Sequence, residues 1–262
     1  MRTPLAFVVM LLLSCFSCSR PATTPYGWQS ASPEFDDVMT EVEWAYNNFA
    51  PNDSMRLLIA RLDSIANGVN NNRRLMQART HYWRARWLDR MGEANSAKKE
   101  AAKALALSDS AKYYQDFLRM KLLAAKADPA NDQADYYSLN IECLSYARKT
   151  DNNALAAIVS INLGLLYEDL GEYDVAEKYQ ALADSFSLLL HLDKMEVKNR
   201  VNHARLLEFK GQIDKADSVK MSIINHPYIL EDAQTHEIIQ RNLFLTTQDT
   251  SYLMESLREL KR

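Results

Sequence analysis

A residue that favours a turn recurs along this chain at nearly constant intervals: Asn52, Gly92, Asn131, Gly171 and Gly211, separated by 40, 39, 40 and 40 residues. The sequence on both sides of each reads as helix. A period near forty with one turn inside each unit means helical hairpins stacked in a row, each burying an apolar face against the next. The expected fold class is all-α, a solenoid of about six helix pairs. Such an array builds no single catalytic pocket, so it points to binding of something extended.

Composition agrees where it bears on that reading. Only 6 Gly and 7 Pro occur in 262 residues, and Pro21, Pro25 and Pro33 crowd near the start, leaving long stretches free of helix breakers. No stretch after Glu34 alternates apolar and polar residues with β-branched enrichment, so a sheet has no support. A net charge of -3 lacks the broad positive footprint of a nucleic-acid binder.

The N-terminus is a separate unit. Arg2 precedes the apolar run Leu5 to Leu13, too short to span a bilayer and of the length of a signal-peptide core. The run ends in LLSCFSC, which resembles the lipobox of bacterial lipoproteins, where a cysteine after a small residue becomes the lipidated first residue. Cys15, with Ser14 before it and Leu12 three back, fits better than the alternative Cys18, which has Ser17 and Cys15 there. An ordinary cleaved signal or a short anchor are the other readings. The expected organisation is a signal peptide with lipobox at 1–18, a flexible tether rich in Pro, Ser, Thr and Gly at 19–32, and a helical repeat domain at 33–262. The expected location is exported and membrane-anchored, facing the periplasm or associated with the outer membrane. Beyond the leader Cys143 stands alone, so no internal disulfide and no cysteine-based metal site is expected; it reads as a small buried hydrophobe.

Residues 157–187, AIVSINLGLLYEDLGEYDVAEKYQALADSFS, place Leu163, Gly164 and Tyr167 before a turn at Gly171-Glu172-Tyr173, then Ala176 and Ala183 after it. This resembles a tetratricopeptide repeat (TPR). Small Gly164 and Ala176 let two antiparallel backbones approach, Tyr167 and Tyr173 fill the space beside that contact, and Gly171 supplies the left-handed conformation at the helix end. Weaker copies place Ala85, Leu88, Gly92, Ala97 and Ala104, and Ala204, Leu207, Gly211, Ile213, Ala216 and Ile223, in the same register. Around Asn131 and Asn52 the pattern is degenerate. The resemblance implies a right-handed superhelix. The family's usual period is shorter, and the long one here is similar to the exported TPR sensor half of helix-turn-helix regulators from gut anaerobes.

In the family, the first helix of each pair lines the concave face and holds ligands. Counting back from the turns places there Arg79, Tyr82, Trp83, Arg86 and Arg90, then Lys121, Asn162, Lys198, Asn202 and Arg205. Aromatic and Arg groups combine large contact area with directed donors, which suits a peptide. The other reading of Arg79, Arg86 and Arg90 is a solvated helix face beside Asp89 and Glu93. Relatives that grip a peptide carboxylate have Lys or Asn at positions matched by Lys121, Asn162 and Lys198, while Ala125 and Asn202 depart from that pattern.

Catalysis finds no motif. The 5 histidines show no HExxH spacing, the glycines fall singly rather than in a phosphate loop, and no carboxylate pair stands apart. The expectation is no enzyme, cofactor, metal or nucleic acid, and a protein or peptide partner held on the concave face. The alternative is a signalling component acting with a membrane-bound transcriptional regulator. A final helix over Ser251 to Arg262 would leave Leu253, Leu257 and Leu260 uncovered, which suggests a homodimer or a partner there.

Overall fold

The computed structural model describes residues 27–47, 50–128, 132–190, 193–231 and 233–260. The leader with Cys15 and Cys18, the first part of the tether, Asn131 and His191 lie outside the described residues. Thirteen helices make up these segments: α1 (Pro33–Asn47), α2 (Asn52–Gly68), α3 (Arg73–Arg90), α4 (Ala94–Leu107), α5 (Tyr114–Ala127), α6 (Gln133–Lys149), α7 (Asn153–Asp169), α8 (Tyr173–Leu189), α9 (Asp193–Phe209), α10 (Ile213–Ile223), α11 (Pro227–Glu231), α12 (Ala233–Thr247) and α13 (Thr250–Glu259). Each of the larger helices packs on the next, and no β-strand occurs among the described residues. The result is an all-α, TPR-like solenoid of six pairs, with the single turn α11 inserted before the last.

The glycine turns do what their spacing predicts. Gly92, Gly171 and Gly211 have φ of 77°, 77° and 71°, a conformation that L side chains resist. At each, the next residue donates its N–H to a carbonyl five positions back: Glu93 to Leu88 at 2.9 Å, Glu172 to Tyr167 at 2.9 Å and Gln212 to Leu207 at 2.8 Å. These bonds satisfy carbonyls left open where the first helix of a pair ends.

The first turn departs from the expected register. The matching bond runs from Ala50 to Ala45 at 2.9 Å, ahead of Asn52, and Asn52 instead begins α2 after Pro51. The same bond, Asn152 to Ala147 at 2.8 Å, closes α6 with Asp151 at φ 53°, a turn between pairs that carries no glycine.

Close packing at Gly164 explains its residue type. A methyl group built there would lie 3.2 Å from Gln180 Cγ and 3.6 Å from the Ala176 carbonyl, so α7 and α8 are as near as a missing side chain allows. Tyr167 stacks on Tyr179 with ring centres 5.4 Å apart and shares a 2.8 Å hydroxyl contact with Tyr137. Tyr173 stacks instead on Phe209 of the next pair, at 5.8 Å. The buried apolar residues form three successive clusters, centred on α1–α3, on α5–α8 and on α9–α12.

First helices of neighbouring pairs also touch one another, α1 with α3 and α3 with α5, which sets the inside of the bend. Further along the coil, Lys198 of α9 comes within electrostatic reach of Tyr46, and Tyr228 of α11 within reach of Arg90. The fifth pair and the inserted turn α11 thus come near the first two pairs.

Candidate functional site

The groove is built around a residue that sequence reasoning placed in the tether. Trp28 has no exposed surface. Two guanidiniums lie over its ring, Arg79 of α3 at 5.2 Å and Arg119 of α5 at 4.3 Å from the ring centre, and it meets Tyr82 edge-on at 5.3 Å. The indole N–H donates to Glu43 Oε2 of α1 at 3.0 Å. Two cations against the π-system of an indole, with a carboxylate on its one donor, match the electrostatics of the side chain.

The backbone of the same segment is held by side-chain amides. Gln115 donates to the Gly27 carbonyl, and Asn72 donates to the Ala31 carbonyl at 2.9 Å. Asn72 sits at φ 54° ahead of α3, and its own oxygen accepts from the Tyr113 hydroxyl at 3.0 Å, which fixes which way its amide points. Asp36 accepts from the Ala31 N–H at 3.1 Å and from Ser30 Oγ at 2.5 Å. Ser32 then caps α1 through Phe35 N–H at 3.3 Å, with Pro33 at the first helical position, where its missing donor costs nothing. Residues 27–32 therefore form an ordered arm laid into the groove, in contrast to the flexible tether expected for 19–32. The physical reason is that one large aromatic group with a matched polar surround outweighs the disorder favoured by its Gly and Ser neighbours.

Beneath the arm lies a buried charge network. Arg79, itself fully buried, sends Nε (3.1 Å) and Nη2 (2.7 Å) to Asp116 Oδ2, and Nη1 comes within 3.9 Å of Asp36. Burial pushes the Asp116 carboxyl up from its ordinary range, against the opposing pull of Arg79 and Arg119. Burial also pushes Glu43 up to about 7, although Arg119, Arg86, Arg79 and the Trp28 N–H all draw it down.

The sequence-predicted contacts divide into two groups. Arg79, Tyr82 and Trp83 are buried and serve the arm or the core; Trp83 packs against both Tyr82 and Tyr46. Arg86 and Arg90 spread over the Tyr46 ring at 4.3 and 3.7 Å, and Arg90 Nη2 also reaches the Tyr46 carbonyl at 2.5 Å. The Tyr46 phenol, which burial alone would push up, is drawn below its usual value by the charges of Arg86, Arg90 and Lys198. The second group stands on α5, α7 and α9. Lys121 is half-exposed and 3.6 Å from Glu142, Asn162 donates to Asn140 at 3.0 Å, Lys198 is exposed, Asn202 is half-exposed, and Arg205 pairs with buried Glu168 at 2.8 Å. Neither the Arg79–Arg90 stripe nor the outer set gathers on one ligand-sized point.

Sequence reasoning missed Trp28, Glu43, Gln115 and Arg119. The one signal for them was Trp28 itself, a large aromatic residue in an otherwise small and polar stretch. Cys143 is buried, and its thiol is pushed up to about 12 by burial, as a small core residue would be. Among the described residues no group of three or more His, Cys, Asp or Glu is placed to hold a metal ion, and no helix is long and apolar enough to cross a membrane.

Comparison with protein families matches residues 159–187 to the tetratricopeptide repeat, the stretch that carries Gly164, Gly171 and Ala176. Searches of curated proteins and of solved structures returned no match. The fold is thus a TPR-like helical repeat, and the chain contains one matched tetratricopeptide repeat, a motif that typically mediates protein–protein interaction.

Proposed function

We propose that this chain is an exported, lipid-anchored TPR scaffold that binds a protein or peptide partner through its concave face and carries no catalytic site. The observation that supports this is the arm: the groove already accommodates a polypeptide segment, holding its backbone with side-chain amides and its aromatic group against guanidiniums, which is how a peptide ligand is held. On this reading Lys121, Asn162, Lys198 and Asn202, carried by the first helices of the later pairs, would meet a partner that continues beyond the arm. Lipid attachment at Cys15, or at Cys18, would keep the groove near a membrane surface.

A photo-crosslinking amino acid placed at Lys121 or Lys198 of the full chain, in its native cells, tests the binding face. A discrete crosslinked species from these positions, and none from Lys178 on the outward face of α8, is the expected result. Absence of any crosslink from the two inner positions would remove the concave face as the binding surface. Metabolic labelling with a radioactive fatty acid, compared between the native chain and Cys15→Ala and Cys18→Ala variants, tests the anchor; labelling that survives both substitutions together would overturn it.

A further inference from the structure

We infer that the pocket formed by Glu43, Arg79, Tyr82, Gln115 and Arg119 is a peptide subsite selective for a Gly-Trp pair in an extended segment, and that the chain's own Gly27-Trp28 is its resident ligand, which a partner must displace. This rests on the concave-face reading above and specifies the partner's chemistry.

Three observations carry it. First, the arm is joined to the body as a ligand would be, because the contacts on its indole and on the Gly27 carbonyl come from side chains of α1, α3 and α5, up to 88 residues away in sequence. Its sole covalent continuity with those helices is through Ser32. Second, the charge on the pocket floor does not depend on a hydrogen bond from the indole, since Arg79 bonds Asp116 at 2.7 Å while the Trp28 N–H goes to Glu43. Removing the arm would open a polar slot with an aromatic wall, to which an indole can return. Third, the position before the tryptophan is restricted to glycine on two counts. Gly27 has φ 78°, and a methyl group built on it would lie 2.9 Å from Asn152 Oδ1, closer than any carbon side chain tolerates. Asn152 is in turn held by its bond to Leu155 N–H at 3.1 Å, so it is not free to swing aside.

The consequence is competition within one molecule. A tethered arm a few residues from its slot sits at an effective concentration on the order of millimolar, so an external peptide of the same intrinsic affinity binds the native chain more weakly than a chain whose arm lacks the indole. A partner that engages the outer groove as well can overcome this, because its Gly-Trp segment then also arrives as a tethered group.

The experiment uses a fluorescent peptide of this chain's residues 25–32, PYGWQSAS, with binding read by anisotropy against the full chain carrying W28A. The expected result is saturable binding to W28A, weaker by about tenfold or more in the native chain. Substituting Ala for the glycine or for the tryptophan of the peptide, or adding R119A to W28A, is expected to abolish it. A folded W28A chain that binds neither peptide up to about 1 mM, or binds the native and the Trp-to-Ala peptides equally, would overturn the subsite. Should W28A lose its helical circular dichroism, addition of the peptide becomes the readout: restored helicity supports the proposal and no restoration rejects it. Crosslinking from Lys121 and Lys198 that persists in a W28A/R119A chain unable to take the peptide would reject the Gly-Trp subsite while leaving the concave-face reading intact.

Discussion

Arg79 of α3 and Asp116 of α5 form a fully buried ion pair, with two guanidinium nitrogens converging on one carboxylate oxygen at 3.1 and 2.7 Å. It joins the second helix pair to the third directly beneath the arm. A charge deprived of its partner in such a place is far more costly than the pair itself is stabilising. Arg79→Ala or Asp116→Ala should each lower unfolding free energy in urea by about 3–5 kcal/mol, whereas the double change Arg79→Met with Asp116→Leu should cost much less. An unchanged urea midpoint for Arg79→Ala would show the pair to be dispensable and return Arg79 to the candidate ligand contacts.

Glu43 gives the arm a pH dependence. Its folded-state carboxyl is raised to about 7 from an ordinary value of 4.5, so between those pH values the folded chain holds a proton that the unfolded chain has released. Its contribution is therefore complete below pH 4.5 and is lost as pH rises through about 7. Glu43→Gln retains an acceptor for the Trp28 N–H but cannot ionise. Stability of the native chain should fall across this window by a few kcal/mol at most, and the Gln variant should show a flatter profile. Identical slopes for both chains in urea titrations from pH 4.5 to 8 would mean that Glu43 does not titrate there.

Two glycines with equally open surroundings should respond in opposite directions to alanine. Nothing lies within 4 Å of a methyl group built on Gly68 or on Gly171, but Gly171 alone has a left-handed φ of 77°. Gly171→Ala should cost about 1–2 kcal/mol. Gly68→Ala, at the end of α2, should raise stability by about 0.5–1 kcal/mol. Calorimetric melting temperatures that move in the same direction would contradict the turn geometry.

At Gly164 the limit is space rather than backbone. Gly164→Arg must displace Gln180 and push α7 from α8, with an expected loss of at least about 1–3 kcal/mol. Unaltered thermal stability would show that these helices do not approach as closely as the 3.2 Å contact to Gln180 indicates.

The repeat was legible because its turns depend on local backbone chemistry. Gly92, Gly171 and Gly211 identify themselves by the conformation they alone adopt easily, and the Gly164–Ala176 approach by the absence of bulk. The first turn was misplaced because it is closed without glycine, and the turn at Asp151 left no signal for the same reason. Much of the site was not legible. Arg79, Arg86 and Arg90 are on α3 as helical counting expects, but their partners, Asp116 and Tyr46, lie in other pairs, and no periodicity in α3 reveals them. The arm was hidden more thoroughly, since PYGWQSAS has the composition of a linker and only the shape of the finished groove gives Trp28 a place. Of the three apolar positions expected to be uncovered on the last helix, Leu257 and Leu260 are exposed and Leu253 is half-buried.

A solenoid of stacked pairs is ordinarily a spring, since each unit touches only its neighbours and small rotations between units add up to large changes of pitch. The arm alters that mechanical character. From one short stretch it makes contact with Glu43 on the first pair, Arg79 on the second, Arg119 on the third and Asn152 at the entrance to the fourth. It thus runs along the inside of the coil like a tie rod, tying four successive units together from a single point. Withdrawing Trp28 would do more than vacate a slot; it would release the curvature of four successive pairs at once, so that occupancy at one point of the groove is read out as the length of the whole molecule.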